Sequence, residues 1–136
     1  MTPDKLARTY LDALRRADLD AMLALFTEDG QVHSPLYGPQ PAARFFPQLF
    51  GATTESNLAL QGVAEGRTEF GAPLVTLWFR YDWLMAGGAR TVFDVVDVLE
   101  LARDGRIGTL RIIYDTTAAR PLLEQQTGQA SWRHGD

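Results

Sequence analysis

Residues 74–102 read L-V-T-L-W-F-R-Y-D-W-L-M-A-G-G-A-R-T-V-F-D-V-V-D-V-L-E-L-A. Two runs rich in aromatic and β-branched residues, 74–85 and 90–102, flank the small residues 86–89. Such runs fit strands, and a glycine pair between them fits a hairpin turn. With Gly87 and Gly88 as the loop, Leu84 faces Thr91, Asp82 faces Phe93, Arg80 faces Val95 and Trp78 faces Asp97. Facing residues share a side of the sheet. Trp78, Arg80, Asp82, Phe93, Val95 and Asp97 then occupy one face. Phe79, Tyr81, Trp83, Val92, Asp94, Val96 and Val98 occupy the other. A slip of one residue would break this grouping.

The flanking chain extends the pattern. Residues 56–65 alternate weakly through Leu58, Leu60 and Val63. A further strand covers 106–117 after the turn Asp104-Gly105. Helices precede the strands. Leu6, Tyr10, Leu14 and Ala17 recur at helical spacing, and Pro3 suits a first turn, which predicts a helix over residues 3–16. Asp18 suits the N-cap of a short second helix carrying Met22, Leu23, Leu25 and Phe26 and ending at Glu28-Asp29-Gly30. Pro41 starts a third through Phe45 and Phe46, which Pro47 ends or kinks. Helices followed by antiparallel strands predict an α+β fold, a curved sheet with helices on one face enclosing a cone-shaped pocket. The single domain is expected over 1–117, and 118–136 reads as a polar tail, partly disordered.

Composition narrows the function. The chain has 136 residues, enough for one domain that buries a core. It has no cysteine and two histidines, which excludes disulfides and thiolate chemistry and argues against a dedicated zinc or copper site. No cofactor and no metal are expected. Net charge is −4 with no basic run, which disfavours nucleic-acid binding. No apolar stretch reaches the roughly 18–20 residues of a membrane helix. A soluble, cytoplasmic protein is expected.

Three places carry candidate chemistry. Asp97 sits inside V-V-D-V-L among apolar neighbours, where desolvation raises a carboxyl pKa. It donates a hydrogen bond as a neutral acid, pairs with Arg80 as a structural ion pair, or sits at an oligomer edge. Tyr10 lies on the apolar stripe of the first helix and faces the sheet, as a core residue or a hydroxyl donor. In Q-V-H-S-P-L-Y-G, residues 31–38, His33 and Ser34 are neighbours on an extended run and point to opposite faces, so they do not form a dyad. A kink at Pro35 leaves open which of the two turns inward.

These features resemble a known family. Y-L-D-A-L-R-R-A-D-L-D from Tyr10, L-F-T-E-D-G-Q-V from Leu25 and Pro35 are similar to the start of ketosteroid isomerases and their SnoaL-like relatives, of the nuclear-transport-factor-2-like (NTF2-like) superfamily. Phe93-Asp-Val-Val-Asp97, Asp104-Gly105-Arg106-Ile107 and Tyr114 match the second half. The resemblance implies a cone-shaped NTF2-like fold. By position it puts Tyr10 and Asp97 on the isomerase's oxyanion-hole tyrosine and protonated aspartic acid, a system that also serves as a general worked case of pKa tuning. It puts Leu110, Ile112 and Tyr114 on the pocket side. The isomerase's general-base aspartate falls on Ser34, which removes no carbon-bound proton without a base beside it. Arg80-Tyr81-Asp82 also resembles the Arg-x-Asp pair of limonene-type epoxide hydrolases, whose second carboxylate falls here on Ile112.

Three function classes follow. One is an isomerase, cyclase or lyase with Tyr10 and Asp97 stabilising an oxyanion and Asp82 or His33 moving the proton. The second is an epoxide hydrolase using Arg80 and Asp82. The third is a non-catalytic module for a small hydrophobic molecule. The expected pocket comprises Ser34, Phe26, Phe46, Trp78, Arg80, Phe93, Val95, Leu110, Ile112 and Tyr114. If Asp97 is the only carboxylate or imidazole to reach it, binding is favoured over catalysis; filling by Phe45, Phe46 and Trp78 would speak against binding. The apolar opposite face predicts a homodimer.

Overall fold

A computed structural model describes residues 1–134. The expected last two tail residues, 135 and 136, lie outside the described residues. The elements run α1 (Pro3–Arg16), α2 (Leu19–Leu23), β1 (Phe26–Ser34), β2 (Gly38–Pro41), α3 (Ala42–Gly51), β3 (Thr53–Arg67), β4 (Pro73–Met85), β5 (Arg90–Leu101), β6 (Ile107–Ile113) and α4 (Ala119–Thr127). The strands form one open sheet in the order β2-β1-β6-β5-β4-β3. Only β1 and β6 pair in parallel. Irregularities in the β3–β4, β1–β6 and β5–β6 ladders mark where the sheet bends, as bulges do. The result is the expected α+β cone.

The first helix follows local rules. The Thr2 side chain accepts from Lys5 N–H, Pro3 opens the helix, and Leu6, Ala7, Tyr10, Leu11, Ala13 and Leu14 make its buried stripe. It ends on Ala17, held in the left-handed region at φ 52°, and Asp18 caps α2 through Ala21 N–H. The second helix stops earlier than its apolar residues predict: Phe26 already belongs to β1. In α3, Pro47 neither ends nor starts the helix. Pro47 and Ala43, four residues before it, are both exposed, so the carbonyl that loses its donor faces water.

The hairpin differs from the sequence reading by one residue. Met85 N–H donates to the Ala89 carbonyl at 2.8 Å, and Gly88 N–H donates to the Met85 carbonyl at 3.0 Å. The loop is thus three residues, Ala86, Gly87 and Gly88, with Gly88 at φ +95°, the left-handed closure such loops favour. Every partner on β4 shifts accordingly. Phe79 faces Val95, Tyr81 faces Phe93 and Leu77 faces Asp97. Phe93, Val95 and Asp97 stay together, but their companions are Phe79, Tyr81 and Trp83 in place of Trp78, Arg80 and Asp82. Those three belong to the outer face, where Trp78 and Arg80 are exposed and Asp82 pairs with Arg90 at 3.3 Å.

Beyond residue 117 the chain forms α4, with Ala119 and Leu123 buried. The Arg120 guanidinium donates to the Ser131 hydroxyl and to the carbonyls of Trp132 and Pro35. The Gln126 side chain accepts from Gly87 N–H and donates to the Ala52 carbonyl. A helix with a narrow apolar stripe is thereby tied to Pro35, to Ala52 and to the β4–β5 hairpin. No helix among the described residues is long and apolar enough to cross a membrane.

Candidate functional site

The site begins where α1, packed across β3 and β4, sends a side chain to β5. Tyr10 points from the buried stripe of α1 into the sheet, and Asp97 points inward from β5 because its parity matches buried Val95 and Leu99. The Tyr10 hydroxyl donates to Asp97 Oδ2 at 2.7 Å. Each residue is 1% exposed. The other carboxyl oxygen, Oδ1, is buried with no hydrogen-bond partner among the described residues. Burial pushes the Asp97 carboxyl up to about 7, against the opposing pull of the Tyr10 hydrogen bond. Burial first, and then the Asp97 charge, hold Tyr10 well above the ordinary phenol range.

The pair borders a cavity of about 40 Å³, room for roughly three waters at ~10–15 Å³ each. Of the residues expected from sequence, Tyr10, Ser34, Phe46, Phe93, Val95, Asp97, Ile112 and Tyr114 line it. Aromatic side chains dominate the rest of the wall. The Tyr81 and Phe93 rings lie 5.5 Å apart, and those of Phe93 and Tyr114 lie 4.5 Å apart, in a ladder from β4 over β5 to the residue that follows β6. The Tyr81 hydroxyl pairs with Ser56 at 2.8 Å. Burial pushes Tyr37 and Tyr81 up to about 12 and Tyr114 higher still, so all three are neutral hydroxyls at physiological pH.

Ser34 faces in and His33 faces out. Ser34 is buried on the same parity as Val32, and Pro35 does not turn His33 inward. The Ser34 hydroxyl oxygen accepts from Leu36 and Tyr37 N–H, each at 3.2 Å. With its lone pairs so used, its proton is left to donate. His33 sits on the outer side with Nδ1 3.4 Å from an Arg111 guanidinium nitrogen, and Arg111 in turn donates to Glu100 at 2.7 Å. Partial burial first, then the Arg111 charge, lower its pKa, while Glu100 opposes them.

Besides His33, five expected residues fall elsewhere. Trp78, Arg80 and Asp82 are on the outer face because of the register shift. Phe26 and Leu110 are buried but outside the cavity lining; Phe26 packs its ring on Phe46 at 5.5 Å, and Leu110 lies between Val32 and Leu99. The Arg80–Asp82 epoxide-opening arrangement therefore has no access to the cavity. Sequence reasoning missed Leu14, Tyr37, Phe45, Leu49, Phe79, Tyr81 and Trp83 as lining residues. The last three are the opposite parity of the strand that was read, and Leu14 lies one turn after Tyr10 on the same stripe. Among the described residues no three His, Asp or Glu side chains cluster as a metal site would need.

Chains of known structure share this architecture. An NTF2-like protein of unknown function from Burkholderia pseudomallei is 20% identical, with a TM-score of 0.74 over 90% of this chain and 98% of that one. A hypothetical protein with a ketosteroid isomerase-like fold from Catenulispora acidiphila, in complex with trimethylamine, is 14% identical, with a TM-score of 0.70 over 89% and 92%. The epoxide hydrolase/cyclase-like enzyme SalBIII, of pyran ring formation in salinomycin, is 19% identical, with a TM-score of 0.67 over 85% and 92%. These likenesses establish the fold. No curated protein matches the sequence. The sequence pattern of the SnoaL-like domain matches residues 7–108, which span both Tyr10 and Asp97. The chain belongs to the SnoaL-like domain family.

Proposed function

We propose that the inner cavity, widening from its resting volume of about 40 Å³ toward the roughly 150 Å³ a benzene-sized ring needs, binds a small apolar ligand through one oxygen, a phenol, enol or carbonyl, set against Asp97 Oδ1. The observation that carries this reading is that buried, unpartnered oxygen beside a cavity whose remaining wall is almost wholly apolar or aromatic. A polar atom so placed is costly until a ligand pairs with it. As a neutral acid Asp97 donates to a carbonyl oxygen; as a carboxylate it accepts from a phenol. Tyr10 holds the second oxygen and fixes the carboxyl plane.

Binding is favoured over base-driven isomerisation. Asp97 is the only carboxylate in the lining among the described residues, and no imidazole is there. Ser34 stands where the isomerase relatives keep their base and has no carboxylate or imidazole hydrogen-bonded to it among the described residues. One observation supports a catalytic reading beside it: a carboxyl held near pKa 7 is matched to take up a proton and return it at neutral pH. In that reading Asp97 alone serves an isomerisation or ring closure, with the Ser34 hydroxyl as an additional donor.

The test is binding of 4-ethylphenol, followed by calorimetry. Affinity is expected to fall at least tenfold in Asp97→Ala and several-fold in Tyr10→Phe. Unchanged affinity in both overturns the reading.

We also propose a homodimer through the outer sheet face. Trp78 faces Val96, and Val96 faces Ile113, across three neighbouring strands. Trp78 is 47% exposed and Ile113 56%. Arg80 and Asp82 make this face more polar than the sequence reading expects, so the contact centres on this short row. Light scattering that returns a monomer overturns it.

A further inference from the structure

A second hollow lies beyond Tyr37. It measures about 630 Å³ against about 40 Å³ for the inner cavity, and Tyr37 lines both. Its walls are β2 and α3 on one side and α4 with residues 129–132 on the other.

The chemistry of the two spaces differs. Gln40, Gln48, Gln126, Gln129 and Thr127 line the outer hollow beside Trp132, and no Asp, Glu, Lys, Arg or His of the described residues does. Amides both donate and accept, as hydroxyl groups do. Without a charged side chain among the described residues of its lining, the hollow offers no counter-ion for a phosphate, a carboxylate or an ammonium group. Gln126 is used at both ends by Gly87 and Ala52, so it acts as wall.

Gln40 is different. Its Nε2 donates to the Tyr37 carbonyl at 3.0 Å, which orients the amide, and its Oε1 is buried with no partner among the described residues. A buried acceptor without a donor is unusual enough to require a reason. Gln48 and the Trp132 indole N–H likewise make no side-chain hydrogen bond among the described residues. An apolar ring plane beside free amides suits a sugar, which has an apolar face and a hydroxyl edge.

We infer that this hollow holds a neutral, hydroxyl-bearing arm, such as a hexose, of a ligand whose ring occupies the inner cavity. The inference rests on the ligand-binding reading of that cavity. The arm passes Tyr37, whose ring packs edge-on against Phe45 at 5.7 Å and whose hydroxyl has no protein partner among the described residues. One hydroxyl of the arm donates to Gln40 Oε1 once that side chain turns out of its buried seat.

Three probes share one phenol and differ in the arm: 4-ethylphenol, 4-hydroxyphenethyl β-glucoside and 3-(4-hydroxyphenyl)propanoate. By calorimetry the glucoside is expected to bind at least tenfold tighter than 4-ethylphenol, and tighter than the propanoate. Gln40→Leu with Gln48→Ala, neither in the core, is expected to remove that gain and leave 4-ethylphenol unchanged. Equal binding of glucoside and 4-ethylphenol, with 4-ethylphenol still dependent on Asp97, overturns the outer site and spares the inner one. A gain that survives the double substitution, or a tighter propanoate, also overturns it. Binding of none of the three overturns both readings.

Discussion

The indole of Trp132 lies directly over Gly38. A Cβ at Gly38 would come within 2.7 Å of the ring, and Gly38 sits at φ +76°. Two independent demands thus require glycine there, one from the backbone and one from the C-terminal segment.

Gly38→Ala is accordingly expected to destabilise the fold by about 2–4 kcal/mol, the sum of a left-handed alanine and an overpacked contact. In a Trp132→Ala background the same substitution keeps only the backbone cost, about 1–2 kcal/mol. A double-mutant cycle by urea denaturation measures the difference as a coupling energy. Additive losses would contradict a direct clash.

Asp97 makes stability pH-dependent in an unusual direction. Its folded pKa, about 7, lies above the ordinary 3.8, so between those values the folded state binds more protons than the unfolded one. Its contribution is therefore fully favourable below about pH 4 and is lost as pH rises toward 7, by roughly 3–4 kcal/mol at most. Asp97→Asn removes this decline. The variant is expected to gain on the wild type between pH 5 and pH 8, as read by urea midpoints. Parallel pH profiles for the two proteins would contradict the raised pKa.

Tyr10→Phe removes the hydrogen bond that favours the charged form of Asp97. The Asp97 pKa is expected to rise further, and stability at pH 5 to fall by about 1–3 kcal/mol because Oδ2 loses its partner. A carboxyl-carbon NMR titration reports the pKa. A downward shift would mean that Tyr10 does not donate to it.

Ala17 ends α1 in a left-handed conformation at φ 52° without being glycine. Ala17→Gly is expected to raise stability by about 0.5–1 kcal/mol, the relief of αL strain partly offset by the freer unfolded chain. Thermal denaturation checks the sign; a loss would mean that the Ala17 methyl contributes more than its strain costs.

Much of the fold was legible because its signals are local. The capped amphipathic α1 and the apolar runs of β4 and β5 can be read from neighbours in sequence. Tyr10 and Asp97 stand out by helix stripe and by apolar neighbours, the resemblance adds their roles and singles out Ser34, and the cavity collects all three. The register failed at one point, since A-G-G-A does not say which glycine takes positive φ. The strand itself held a better guide. Val75, Leu77, Phe79, Tyr81, Trp83 and Met85 form a wholly apolar parity, while the other parity carries Arg80 and Asp82. Alternation across a half-buried strand outweighs a turn guess, and it would have turned Trp78 outward. The tail was opaque for another reason. What orders α4 is Arg120 reaching Pro35 and Gln126 reaching Gly87, contacts with no periodic trace.

The Tyr10–Asp97 bond spans 87 residues of chain, and the sheet order gives that separation a kinetic meaning. Strands β3 to β6 are neighbours in both sequence and space, so they zip as successive hairpins. The β1–β6 seam and the docking of α1 close much longer loops and come later. On a ribosome the first helix emerges early and finds no sheet to land on until the final strands are made. Tyr10 is then expected to meet Asp97 late in folding, and that single contact closes the cavity between helix and sheet.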